Sequence, residues 1–218
     1  MRKKTAATLA ILLLLPGVAL ADAAGDYAAL VTAAKEGDPG TDYTAMRQAY
    51  LMLPDYDPSG EKTEQLMKEG QAAYAAKDCK TALEKFKAAT EITFVLSDAH
   101  ALMADCLEQA GDKAGEQREE AIAQGLFNSI MSSGDGAKPD TAFRVISLSE
   151  ETAIMAVAGV NGTRREIINT DAGPVEKITI KDAATGQEGA VYFNVGAIVM
   201  SLALKEKNSE KPSTPAKP

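Results

Sequence analysis

The hydrophobic periodicity of this chain changes once, near residue 137, and that change divides what it can fold into. Before it, apolar residues recur at three- and four-residue steps, the spacing that lays one stripe along an α-helix. After it, β-branched residues rise and apolar positions alternate with a period of two, as in half-buried strands. Tyr27, Leu30, Val31 and Ala34 form one helical stripe, and Tyr43, Met46, Tyr50 and Leu53 a second. The breakers Gly37-Asp38-Pro39-Gly40 between them predict a helical hairpin. After the connection Pro54–Gly60, helices are expected at about Lys62–Ala76, Cys79–Phe94, Asp98–Ala110 and Ala114–Met131. In the second part, Phe143 and Val145, then Ile178 and Ile180, then Val191, Phe193 and Val195 alternate. Turns at Asp171–Pro174 and Asp182–Gly186 predict an antiparallel meander within Arg164–Val195. Ser147-Leu148-Ser149-Glu150 has capping-box spacing, so a helix with Glu151, Ile154, Met155 and Ala158 on one face should follow and stop at Gly159. Its β-branched content leaves a strand as the alternative.

Leu66, Gly70, Ala82, Phe86 and Ala89 resemble the tetratricopeptide repeat, a helical pair of about 34 residues in which small residues let two helices approach and an aromatic fills the gap. A second unit from about Ser97 keeps Ala104, Leu107, Gly111 and Ala123 in register but has Glu116 and Glu120 where the motif has small and aromatic residues. The expected class is α+β: N-terminal tetratricopeptide-like α-helical hairpins, then a small antiparallel sheet with one or two helices. The corresponding division is a signal peptide at 1–21, a helical domain at 22–136, a small α+β domain at 137–204 and a disordered tail at 205–218, which is rich in Lys, Glu, Ser and Pro.

Arg2, Lys3 and Lys4 precede an apolar run from Ala6 to Leu15, followed by the helix breakers Pro16-Gly17 and the small-x-small site Ala19-Leu20-Ala21. That order reads as a cleaved export signal, and the run is too short for the roughly 20 residues of a membrane span. A periplasmic or secreted protein is expected, with no membrane insertion after signal cleavage. The formal charge of −8 argues against nucleic acid as a partner. It is unevenly spread: residues 22–136 hold 21 acids and 10 bases, residues 137–204 only 8 and 6.

The one histidine, His100, makes His-cluster metal sites and Ser-His-Asp chemistry implausible and reads as a core or groove-rim residue. Asp55–Gly60 copies the start of a calcium loop, but its twelfth position is Leu66, so a helix-linking turn is the reading. Asn161-Gly162 reads as a tight turn. Cys79 and Cys106 sit where antiparallel helices would bring them to similar heights; a disulfide and two buried free thiols both remain open. No catalytic, metal or cofactor-binding residue is assigned, and no cofactor is expected. On the repeat resemblance, the groove side of the first helix of each unit would carry Glu64, Met67, Gln71 and Tyr74, then Asp105 and Glu108. Such an acidic groove suits a protein or peptide partner with basic or amine groups. The expected function is a noncatalytic interaction module, an adaptor or scaffold. The alternative is a cell-envelope hydrolase using carboxylates and tyrosines such as Tyr192 near the junction of the two units.

Several stretches resemble an uncharacterised family of exported bacterial proteins, a domain of unknown function. They are Asp26–Leu30, Asp42–Tyr50, Pro54–Pro58, Asp140–Ile146, Thr185-Gly186 and Val191–Asn194. The resemblance implies the same two-part architecture and brings no catalytic residues.

Overall fold

Aspartates start three of the helices. In the computed structural model, which describes residues 17–182 and 186–209, six helices come first: α1 (Gly17–Glu36), α2 (Tyr43–Leu51), α3 (Glu64–Ala75), α4 (Cys79–Ile92), α5 (Ser97–Ala110) and α6 (Lys113–Met131). Asp42, Asp78 and Asp112 accept from the backbone N–H groups of Ala45, Thr81 and Gly115 at 2.9, 3.1 and 3.0 Å. Each cap satisfies an N–H that the helix itself leaves unpaired and contributes about 1 kcal/mol. Gly111 ends α5 in the left-handed region at φ 75°, where a β-carbon would be strained. Most of the expected signal segment lies outside the described residues. Among the described residues no helix is long and apolar enough to cross a membrane.

The helices share two cores. Phe86, Ala82, Ala89, Ala99, Met103 and Cys106 are buried between α3, α4 and α5. Gly70 faces the Phe86 ring, and a β-carbon there would stand 2.6 Å from it, so only a bare backbone allows this approach. Ala34, Met46, Tyr50, Ile122 and Leu126 form the other core, to which Ile146 from far along the chain is added.

The second part runs through a short 3-10 turn (Pro139–Thr141), β1 (Phe143–Arg144), α7 (Leu148–Val157), β2 (Val160–Thr170), β3 (Gly173–Asp182), β4 (Glu188–Asn194) and α8 (Gly196–Ser209). The sheet order is β1-β4-β3-β2. β2, β3 and β4 form the antiparallel meander, but β1 pairs parallel with β4 through Phe143 and Phe193, so the sheet is mixed and not wholly antiparallel. The alternation of Phe143 and Val145 marks the strand without fixing the direction of its partner. The strand is placed by its approach, where the N–H groups of Asp135 and Gly136 donate to the Thr141 carbonyl and Tyr192 N–H donates to that of Gly136. Asn161-Gly162 is not the tight turn expected: it lies within β2, where the register slips between Gly162 and Arg164 and a β-carbon on Gly162 would stand 2.8 Å from Ile178. The edge strand β2 is thereby protected by a bulge and by Arg164, Arg165 and Glu166. α8 continues through Lys205, whose ammonium reaches the buried Asp57 carboxylate at 3.4 Å, so the expected tail begins as helix; residues 210–218 lie outside the described residues.

The two parts are joined by an ion pair. Arg47 of α2 and Glu150 of α7 are 4% and 2% exposed. Arg47 Nε and Nη2 donate to the two Glu150 oxygens at 2.7 Å each, while Nη2 also meets the Arg144 carbonyl at 2.8 Å and Nη1 the Ser129 hydroxyl at 3.2 Å. Glu150 further accepts from Ile146 N–H at 2.8 Å. Ser147 caps α7 by accepting from Glu150 N–H, but the Glu150 carboxylate does not close the capping box and turns to Arg47 instead. α6 also serves both parts, since Ile130 is buried with Phe143, Ile154 and Phe193 against the sheet.

Arg47→Ala should cost about 3–5 kcal/mol, because it strands a buried carboxylate, whereas Arg47→Met with Glu150→Leu should retain most of the stability. Urea unfolding of both variants checks this; a single variant no worse than the double would refute it. Cys79 and Cys106 are joined as a disulfide with Cα atoms 5.1 Å apart across 27 residues. Replacing both by serine should cost about 3–4 kcal/mol, read as a lowered denaturant midpoint relative to the oxidised protein.

Candidate functional site

The groove between α3 and α5 is built from the bottom by the close approach at Gly70, which sets α3 and α4 together and leaves the other side of α3 facing α5. At one end, Glu64, Met67 and Gln71 of α3 line a pocket of about 230 Å³ with Thr63, Leu96 and Asp98, and α7 contributes Ser149 and Thr152 to close it. Further along, Tyr74 donates its hydroxyl to the Asp105 carboxylate at 2.9 Å, tying α3 to α5. Asp105 and its hydrogen bond raise the Tyr74 phenol above its usual range. Glu108 is exposed one turn beyond Asp105 and does not line the pocket.

The residues expected to share one surface therefore divide into a pocket group, Glu64, Met67 and Gln71, and a bonded pair, Tyr74 and Asp105. Asp98, Ser149 and Thr152 were not singled out by the sequence. Asp98 carried a weak signal as an acid in the first turn of α5. The α7 hydroxyls carried none, because their place depends on long-range docking. Burial pushes the Asp98 carboxyl up, against the first-turn N–H groups of Ala99 and Asp98 and the nearby His100. Neither Lys nor Arg lines the pocket. Two carboxyls, an amide and hydroxyls stand in its wall beside the apolar Met67 and Leu96, a mixture suited to an ammonium or guanidinium group on an alkyl stem.

Other candidate groups are engaged in structure. His100 is 1% exposed, with Nδ1 2.6 Å from Glu119 Oε2 and Nε2 2.8 Å from the Phe94 carbonyl. Two acceptors on its two nitrogens make it a tie between α5, α6 and the loop before α5. Asp57 accepts from Lys62 N–H at 2.9 Å and the Ser59 hydroxyl at 3.0 Å, as a turn-organising carboxylate does. Among the described residues no group of three or more His, Cys, Asp or Glu is placed to hold a metal ion.

Near the junction, one guanidinium nitrogen serves two carboxylates. Arg165 Nη1 lies 2.8 Å from an oxygen of Glu151 and 2.8 Å from one of Glu176. The Glu151 side chain is fully buried and its Oε1 has no partner. Burial, and then the Glu176 carboxylate, push the Glu151 carboxyl up to about 7, despite Arg165. Neither Glu150 nor Glu151 lines the groove pocket. Tyr192 sits in β4 opposite Lys177 of β3.

A helical layer, joined by a buried ion pair to a four-stranded mixed sheet, defines an α+β protein. The chain matches the family described as Domain of unknown function (DUF4919) over residues 22–203 and belongs to it. No curated protein and no solved structure matches the chain.

The Glu151 cluster predicts a direction for the pH dependence of stability. Its folded-state value of about 7 lies above the ordinary 4.5, so the folded protein keeps a proton that the unfolded chain releases between those values. Stability from this group is full below pH about 4.5 and is lost as pH rises to about 7. Glu151→Gln should flatten that limb and raise stability at pH 8 relative to the wild type. Melting temperatures from pH 4 to 8 test it; an unchanged slope in the variant would refute the assignment.

Proposed function

We propose that this protein is an exported, noncatalytic interaction module whose α3–α5 groove takes a basic segment of another protein. The observation that carries this reading is the end pocket, where Glu64 and Asp98 converge with no Lys or Arg in its lining. A lysine or arginine side chain of the partner would enter there, with the Asp105 carboxylate, held by the Tyr74 hydroxyl, further along. The excess of 21 acids over 10 bases in residues 22–136 would draw such a segment towards the helical side. The hydrolase reading has less support, since both Glu150 oxygens are held by Arg47 and Glu151 is fully buried beside Arg165.

A photoreactive residue at Gln71, introduced in living cells, tests the groove. A single protein should crosslink through a Lys- or Arg-containing stretch, and Asp98→Asn with Glu64→Gln should reduce the yield at least tenfold. Synthetic peptides of that stretch should bind more weakly as salt rises. A crosslinked segment without a basic residue, or binding indifferent to both substitutions, would overturn the reading.

A further inference from the structure

A second cavity lies on the other side of α7, and its chemistry differs completely from that of the groove. Its floor is Phe143 of β1 with Ile154 and Met155 of α7, its walls come from β2, β3, β4 and α6, and its volume is about 300 Å³. Every side chain that lines it is apolar. A hydroxyl, amide or charged group placed inside would lose its water and find no partner, which excludes sugars, nucleotides and peptide backbone as occupants. Closed apolar cavities of about 150 Å³ take up hydrocarbons, and this pocket, at about 300 Å³ and open to solvent on one side, has room for a longer one.

The mouth is apolar as well. Val157 is 71% exposed and Met131 39% exposed, on α7 and α6 respectively, so two helices present hydrophobic side chains to solvent at the entrance. Met131 at the rim and Met155 on the floor are flexible, polarisable side chains that adjust to an occupant without a fixed shape. An occupant must therefore be hydrocarbon inside, while any polar group it carries stays at the mouth in water.

We propose that this pocket between α6, α7 and the sheet binds the single alkyl or acyl chain of a small amphiphile. The site is separate from the groove and stands whether or not the groove binds a basic partner. A chain entering from the Val157 and Met131 side would pass between α7 and the strands and end against Phe143, covering apolar surface that the protein leaves open.

The test is displacement of N-phenyl-1-naphthylamine from the purified protein by alkanoates of six to sixteen carbons. One saturable site is expected, with affinity rising about fourfold per methylene until the pocket is full and flat beyond that length. Ala158→Phe should block the mouth and weaken binding at least tenfold. Val157→Trp, at a position already exposed to solvent, should do the same and keeps the test valid if the first variant misfolds. Met200→Ser, in the separate depression between α2 and α8, should leave binding unchanged. Absence of saturable probe binding, affinity independent of chain length, or loss of binding in Met200→Ser with the two mouth variants unaffected would each overturn the proposal.

Discussion

The pairing of Arg47 with Glu150 is the constraint on which the arrangement of both halves rests. Two charges removed from water are tolerated because their polar groups find partners: both carboxylate oxygens meet the guanidinium, and Ile146 N–H, Ser129 and the Arg144 carbonyl add to the set. Such a network has one geometry. Because its members come from α2, α6, the β1 segment and α7, that geometry fixes four elements at once. Hydrophobic burial stabilises the cores on either side, but it is nondirectional and would accept α7 in more than one rotation. The ion pair selects one.

With α7 fixed, its opposite faces acquire opposite characters. Ser149 and Thr152 reach the end of the acidic groove, while Ile154 and Met155 form the floor of the apolar pocket. A ten-residue helix thus forms part of both cavities. The adjacent Glu151 faces Arg165 of β2 and Glu176 of β3, so the sheet adds a second, pH-responsive hold on the same helix.

Local order was legible in the residues, and long-range docking was not. The helices followed from the apolar stripes and the breakers between them, and the meander followed from alternation and turns. The packing of Gly70 on Phe86 could be read because the repeat spacing encodes it. The parallel pairing of β1 with β4 was not legible, because the alternation of Phe143 and Val145 marks a strand without naming its partner or direction. Glu150 carried a capping-box signal, yet its carboxylate went to a partner 103 residues away, where a charge–charge interaction outweighs a surface cap. Asp98 and the α7 hydroxyls were missed for the same reason: a pocket made by three separate segments leaves no spacing in any one of them.

The order β1-β4-β3-β2 carries a consequence for biogenesis. The strand made last, β4, lies inside the sheet and holds β1 and β3 apart, so the sheet cannot close until residue 194 has been synthesised. The helical hairpins, whose contacts are near in sequence, form early by comparison. Until Glu150 follows, Arg47 stands on a nearly finished helical layer as an unneutralised cation. A chain made from its amino end thus passes through a half-built state in which the helical layer precedes the sheet, and only the arrival of β4 lets β1 and β3 join one sheet.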